Sequence, residues 1–345
     1  MAPTGLQERL TSLPLTIESY ELERLEQPVT RGFTRVTTVV HLHGGGHEGV
    51  GEDVTWYTEH HDREQAAGPV LPLAGDWTLT SFSEGLEMPD PHRRWAYESA
   101  ALDLALRQAQ SSLSALVGRE SKPVAFVISP GLGDPPTSRV VRRWLELEPS
   151  HRFKLDPAGD WSDGLIAELA STNAIVTADY KAYYRPEDGP PPDPELYHRV
   201  AEGFPQAYLE DPALTDETDL VLEPHRDRVT WDAPIHSIAD VEALPFPPRV
   251  LNSKPSRFGR LQELLAFYEY CEAKGITLYG GGMFELGPGR GQVQYLASLF
   301  HADGPNDVAP REYNAPEPSP GLPPSPLEPT PEAVGFRWGQ GAATV

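Results

Sequence analysis

The 345-residue chain has one cysteine, three methionines and no apolar run near the roughly 18 residues that a membrane-spanning helix needs. The lone thiol, Cys271, excludes an internal disulfide framework and any cysteine-based zinc site. It lies in the apolar run LLAFYEYCEAKG and reads as a buried structural thiol, not a nucleophile. Basic residues are scarce as well: 28 Lys and Arg against 51 Asp and Glu give a formal net charge of −23. Such a balance repels a phosphate backbone and an anionic membrane surface, so neither a nucleic-acid nor a membrane partner is expected. The N-terminus MAPTGLQERLTSLP lacks the basic-then-apolar pattern of an export signal, and a cytoplasmic protein is expected.

The rhythm of the chain changes along its length. Residues 15–26 and 33–44 alternate polar with β-branched or aromatic side chains, the pattern of a short antiparallel meander. The Gly-rich stretch 41–56 reads as a turn-rich connection. Residues 92–116 carry apolar residues at helical spacing and predict a long amphipathic helix. Short β-rich runs then alternate with helical stretches: strands are expected at 123–129, 151–156, 174–182, 206–211, 227–233, 249–254 and 276–285. Connections of that length require parallel strands. The expected fold is α/β: an N-terminal α+β capping domain (1–90), a (β/α)8 TIM-like barrel (91–312), and a proline-dense C-terminal arm (313–345) that is extended or a disordered linker.

In a parallel barrel the active site forms at the C-terminal ends of the strands. Those ends carry Lys154 and Asp156, Asp179 and Lys181, Glu210 and Asp211, Asp232, and Lys254. A strand built for packing alone would stay apolar there. Side-chain alternation puts Lys154 with Asp156 and Asp179 with Lys181 on shared faces, and turns Asp211 away from Glu210 toward the helix layer. Asp179, Glu210 and Asp232 sit one β/α unit apart and make an all-oxygen site for Mg²⁺, with Mn²⁺ as a substitute. Lys254, one strand further on, is a base whose pKa a neighbouring cation would lower. A salt-bridged rim without catalysis fits the same spacing.

These residues stand in motifs that resemble the enolase superfamily, nearest its muconate-lactonizing and o-succinylbenzoate synthase branch. The motifs are WAYESAALDLALRQ (95–108), FKLDP (153–157), VTADYK (176–181), YLEDP (208–212), VTWDAPI (229–235), NSKPSRFG (252–259) and GGGMFELGPGR (280–290). The resemblance, which also extends to the mandelate racemase-like enzymes, implies a cap that closes over the barrel mouth with the Gly-rich segment around 44–51 as its lid, Mg²⁺ on Asp179, Glu210 and Asp232, and Lys254 in acid–base work. It implies α-proton abstraction from a small carboxylate through a metal-stabilised enediolate, with a lyase (dehydration) or isomerase (cycloisomerisation or racemisation) outcome. Homo-oligomers are common in that family. The rival reading is a metal-binding barrel without proton-transfer activity, kept as a binding or scaffold protein.

Two departures bear on the reaction. The family's Lys-x-Lys on strand two is Lys154-Leu155-Asp156 here, and its Asp-x-Asn on strand three is Asp179-Tyr180-Lys181. Lys181 either replaces the missing base or pairs with Asp156; Lys154 would hold the substrate carboxylate. No dinucleotide cofactor is expected, because GPGRG (287–291) is too short for a fingerprint, although its backbone could hold an anion. Glu285 is read as a substrate contact or a cap. His41, His43 and His47 lack a third zinc ligand and read as surface or lid residues, and His60–His61 as exposed.

Overall fold

The computed structural model describes residues 10, 12–29, 34–184, 192–315 and 317–339. Alternating side chains at the start of the chain build β1 (Pro14–Ile17) and the antiparallel sheet β2 (Ser19–Pro28), β3 (Thr34–Gly44) and β4 (His47–Asp53), as the meander pattern predicts. β1 pairs antiparallel with β5 (Gly75–Thr78). The glycine-rich stretch has two separate physical causes. Gly45 and Gly46, at φ 58° and 73°, form the tight turn joining β3 to β4, a conformation that favours glycine. Gly49 and Gly51 lie under the helix Pro91–Gln108: a Cβ on Gly51 would fall 2.0 Å from Ala96 O, and one on Gly49 2.3 Å from Ala100 O. The lid reading of 44–51 is therefore corrected. Gly49 and Gly51 allow backbone-to-backbone packing where no side chain fits.

That packing predicts the cost of a single methyl group. Gly51→Ala should destabilise the protein by about 3 kcal/mol, because backbone on both sides must shift. A denaturant melt would measure it, and an unchanged midpoint would mean that the helix can lift off β4 cheaply.

Asp90 caps the helix Pro91–Gln108 by accepting from Arg93 N, and Pro91 supplies a first-turn residue with no N–H to satisfy. The helix stops before Gln110 (φ 50°) and a new short one runs Leu113–Val117, so 92–116 is two helices rather than one. The helix Pro91–Gln108 packs on β3 and β4 and also on the helical turn Pro255–Phe258.

The second half is mixed α/β with parallel pairing. β6 (Phe153–Leu155), β7 (Ile175–Asp179), β8 (Tyr208–Glu210) and β9 (Val229–Thr230) pair in that order, and β10 (Val250–Ser253) pairs with β11 (Thr277–Gly280). Asn252 N donates to Trp231 O at 3.1 Å and links the two groups. Parallel bridges join Gly281 to Asp307, Phe126 to Asn306 and Ile128 to Phe153, so the pairings come back to β6. Helices such as Asp163–Ala170, Pro194–Gly203, Leu261–Lys274 and Pro288–Phe300 alternate with these strands and bury one face each. Among the described residues, no helix is long and apolar enough to cross a membrane.

Long-range contacts bind the halves together. The N–H groups of Leu286, Gly287 and Gly289, at the N-terminus of Pro288–Phe300, all donate to the Glu52 carboxylate at 2.6–3.0 Å. The anion expected at the GPGRG backbone is thus a side chain of β4. The proline-dense arm is extended and packed: Leu327 pairs with Val124, Phe336 and Trp338 are buried beside Tyr295, and Arg337 reaches Asp103 at 2.7 Å and Glu48 at 3.1 Å.

Candidate active site

The ends of the parallel strands bring the ionisable residues together. In the register of β7 and β8, Asp179 lies opposite Glu210, and Asp232 follows two residues after Thr230, the partner of Glu210 on β9. Asp179, Glu210 and Asp232 are fully buried, and Lys154 and Lys254 nearly so. Burying so many charges is tolerable only because they pair. Lys154 Nζ sits 2.7 Å from Glu210 Oε1 and 2.9 Å from Asp179 Oδ2. Tyr279 donates its hydroxyl to the other Glu210 oxygen at 2.8 Å.

Lys181 lies just past the end of β7 at φ 53°, which turns its side chain back over the strand end. Its Nζ is 2.6 Å from Asp179 Oδ2 and 3.3 Å from Asp156 Oδ1. Among the described residues Lys254 has one carboxylate neighbour, Asp232 Oδ2 at 2.7 Å, and shares it. Arg257 Nη2 lies 3.2 Å from the same oxygen, and Tyr184 donates its hydroxyl to it at 2.6 Å. The Tyr184 oxygen in turn accepts from Lys254 Nζ at 3.1 Å and Arg257 Nη2 at 2.8 Å.

The three lysines are thus electrostatically unlike. Burial lowers Lys154, but Asp179 and Glu210 outweigh it and hold the ammonium well above its ordinary pKa. The same balance, with Asp179 and Asp156 as the anions, raises Lys181. For Lys254 burial wins: Asp232 opposes it, while Arg257 and Lys154 add to it, and the pKa falls. Burial also works against charge on Asp232, but Arg257 and Lys254 overcome it and depress that carboxyl.

Asp211 departs from the alternation reading. Its backbone stands at φ 49°, and its carboxylate accepts from Asp232 N at 2.8 Å and Ala233 N at 2.9 Å, so it staples β8 to the segment carrying Asp232 and does not face the helices. Sequence reasoning also passed over Tyr184, Arg257 and Tyr279. Only Arg257 left a usable signal, three residues after Lys254 on the helical turn Pro255–Phe258. Glu285 lies beyond the end of β11, accepts from Met283 N at 2.6 Å and pairs with Arg290 at 3.1 Å.

Oxygen atoms of Asp179, Glu210 and Asp211 lie within 4.8 Å of one another, a spacing that a single cation could bridge. Asp211 has committed both oxygens to backbone N–H groups. Asp232 stands outside that trio, yet its buried Oδ1 has no hydrogen-bond donor, with Arg257 Nε 3.2 Å away and out of alignment. An all-oxygen donor set with an orphaned buried carboxylate oxygen fits a hard divalent cation. The second acidic trio, Asp53, His61 and Glu64, already holds a cation: Arg93 Nε lies 3.0 Å from Asp53 and 3.4 Å from Glu64. His61 there is fully buried, bonded to Thr38 and to Thr55 O, and not exposed as its sequence context suggested. His41 and His43 pair with Glu23, Glu48 and Glu21 on the strand surface. Cys271 is buried, and burial pushes its thiol up to about 12.

Comparison with known proteins adds four likenesses. Residues 8–116 and 120–315 match the models described as "Domain of unknown function (DUF8230)", N-terminal and C-terminal domain respectively. The chain is 28% identical over 324 residues to the N-succinylamino acid racemase of Thermus thermophilus, covering 86% of each protein. It is 25% identical over 280 residues to the o-succinylbenzoate synthase of Bacillus subtilis, covering 74% of this chain and 71% of that one. In structure it resembles the muconate lactonizing enzyme of Pseudomonas putida, with a TM-score of 0.63, 17% identity, and coverage of 94% of this chain and 96% of that chain.

Proposed function

For a chain that belongs to the DUF8230 family and is a divergent member of the enolase superfamily, we propose an enzyme of the lyase or isomerase class that removes the α-proton of a small carboxylate with a single base, Lys254. We read the returning parallel pairings as a (β/α)8 barrel under an N-terminal cap, with the site at the mouth. Asp179, Glu210 and Asp232 would hold Mg²⁺, with Mn²⁺ as a substitute, and Asp211 fixes the backbone of Asp232. When bound, the cation supplies positive charge against which negative charge growing on the substrate carboxylate is stabilised.

One observation carries the single-base reading. Asp156 stands where the family places its second lysine, and Lys181 lies between Asp156 and Asp179, held as an ammonium. Among the described residues Lys254 faces a single carboxylate, which Arg257 and Tyr184 also bind, and burial lowers its pKa. In the proposed step Lys254, acting through its amine form, takes the α-proton. In a dehydration it then returns that proton to the departing β-hydroxyl, releasing water and leaving a carbon–carbon double bond. A cycloisomerisation needs the same one-sided transfer, whereas racemisation needs a proton carrier on each face. Lys154 and Lys181 contribute positive charge for the substrate's carboxylate.

The relatives' names suggest carboxylates carrying a succinyl group, N-succinylamino acids first, and the proposed dehydration adds that a substrate of that route carries a β-hydroxyl. Incubation with Mg²⁺ in D₂O should place deuterium at the α-position, or eliminate water, without inverting configuration. Inversion at a rate equal to exchange would point to a second base. Absence of both exchange and elimination across such a panel would favour a cation-binding protein without proton-transfer activity.

A further inference from the structure

The helix Thr58–Ala67 is held to the cap by polar contacts. Its sequence TEHHDREQAA has no large apolar side chain, only His61 is fully buried, and no side chain caps its N-terminus. Its hold runs through the buried cluster around Arg93. Arg93 Nε lies 3.0 Å from Asp53 Oδ2 on β4 and 3.4 Å from Glu64 Oε2, and Arg93 Nη2 donates to His60 O at 3.1 Å. Two carboxylates therefore share one guanidinium, and they are unequally served. Asp53 Oδ1 accepts from Thr55 N at 2.8 Å and Thr55 Oγ1 at 2.6 Å, and Oδ2 accepts from Arg93. Glu64 Oε1 accepts from the Tyr97 hydroxyl at 3.0 Å, but buried Oε2 has no donor among the described residues, because Arg93 Nε is out of alignment. An Asp53 oxygen lies within 4.8 Å of the Glu64 carboxylate.

The other groups that face this cluster do not balance it. Burial lowers the pKa of His61 and raises those of Tyr97 and Tyr20, which keeps all three uncharged near neutral pH. Arg35 on β3 gives its guanidinium to four carbonyls, and Arg24 on β2 pairs with Asp62 and Glu26 at the surface. Asp90, which accepts from Thr55 Oγ1 at 3.4 Å, is a further acid. Two ionised carboxylates on one guanidinium would leave a net charge buried, and a proton on one of them removes it. Glu64, with its donor-free oxygen, is the better site for that proton, and burial first and Asp53 next push its pKa up to about 7.

We propose that Asp53 and Glu64 form a carboxyl pair built to hold one proton, a pH-sensitive clasp that docks the helix Thr58–Ala67 when protonated and loosens it when the proton leaves. Protonated Glu64 donates from Oε2 to Asp53, a bond that the ionised pair cannot make. The clasp is independent of the reaction proposed above. It acts on the segment 54–57, which leads into the helix and which Arg35 ties to Met283 and Phe284 after β11. The docked helix holds a proton that the loosened one, with Glu64 back at its ordinary 4.5, gives up. Docking has this support in full below about pH 4.5 and loses it as pH rises through about 7.

Hydrogen exchange of the full-length protein tests this, read on the peptide covering 58–67 and divided by the exchange rate of an unstructured chain at each pH. Opening of that helix should rise about tenfold between pH 6 and pH 8. The helix Leu261–Lys274, which is packed by apolar side chains, should show no such step. Glu64→Gln keeps an acceptor for Tyr97 and offers Asp53 a donor at every pH, so its opening should stay flat and below the parent's at pH 8. Asp53→Asn leaves Glu64 facing Arg93 without a second carboxylate, and should abolish the step as well. A parent that opens equally at pH 6 and pH 8 overturns the clasp. So does a step that the helix Leu261–Lys274 shares, or one that Glu64→Gln retains.

Discussion

Replacing Lys254 by methionine should lower turnover about 10²–10⁴-fold, the usual contribution of a positioned general base. That corresponds to about 2.7–5.5 kcal/mol of barrier at 1.36 kcal/mol per factor of ten. Methionine keeps the unbranched stem that fills the space beside Tyr184 and Gly281, so the change removes the amine and little packing. Asp232 keeps Tyr184 and Arg257 as partners, which leaves its carboxylate paired. Cation binding should survive, and even tighten, because one positive charge has left the site. The control is Lys181→Met. Lys181 is clasped by two carboxylates and is 37% exposed, so its loss should cost less than about tenfold, within what removing a charge near the substrate does. Single-turnover exchange in D₂O on both variants separates the cases. Equal loss in the two would mean that both lysines move protons, and the single-base mechanism would fall.

The features that could be read from the sequence are those with a local cause. Carboxylates and lysines at the ends of short apolar runs stand out because packing alone would not place charge there, and Asp179, Glu210, Lys154 and Lys254 all gather where the strand ends meet. What was not legible depends on contacts between residues far apart in the chain. Glycines 49 and 51 look like a mobile loop until the helix crossing them is known. The glycine-rich backbone at 286–289 looks open to a ligand until Glu52, more than 230 residues earlier, is seen to occupy it. Asp211 escapes for another reason: strict alternation holds only within a strand, and a residue at φ 49° just past β8 no longer obeys it. Tyr184 follows a turn and carries no periodic signal at all.

Arg35 offers the largest expected effect on the fold. It sits on β3 with no solvent exposure, and its guanidinium donates only to backbone carbonyls. Two of these, Val54 O and Thr55 O at 2.7 Å each, belong to the segment after β4. The others, Met283 O at 3.0 Å and Phe284 O at 3.3 Å, belong to the segment after β11. Burial lowers the Arg35 pKa, while Glu52, Glu285 and Asp53 nearby favour its charge. Phe284 stands at φ 61°, a backbone conformation costly for a bulky side chain, and two of the four bonds hold the segment that carries it. Arg35→Met would leave four carbonyls without this donor, at about 1–3 kcal/mol for each one that water cannot reach. Removing the buried charge offsets part of that cost, and a net loss of about 3–5 kcal/mol is expected, as for other broken buried charge networks. Glu52 would still bind the helix Pro288–Phe300, so the two halves should stay joined while the segments after β4 and β11 loosen. Limited proteolysis should then cut near residues 54–57 and 283–284 before the rest of the chain opens. A variant that melts within about 1 kcal/mol of the parent and resists such cleavage would show that water or Trp56, whose ring lies 5.1 Å from the guanidinium, takes over the work assigned to Arg35.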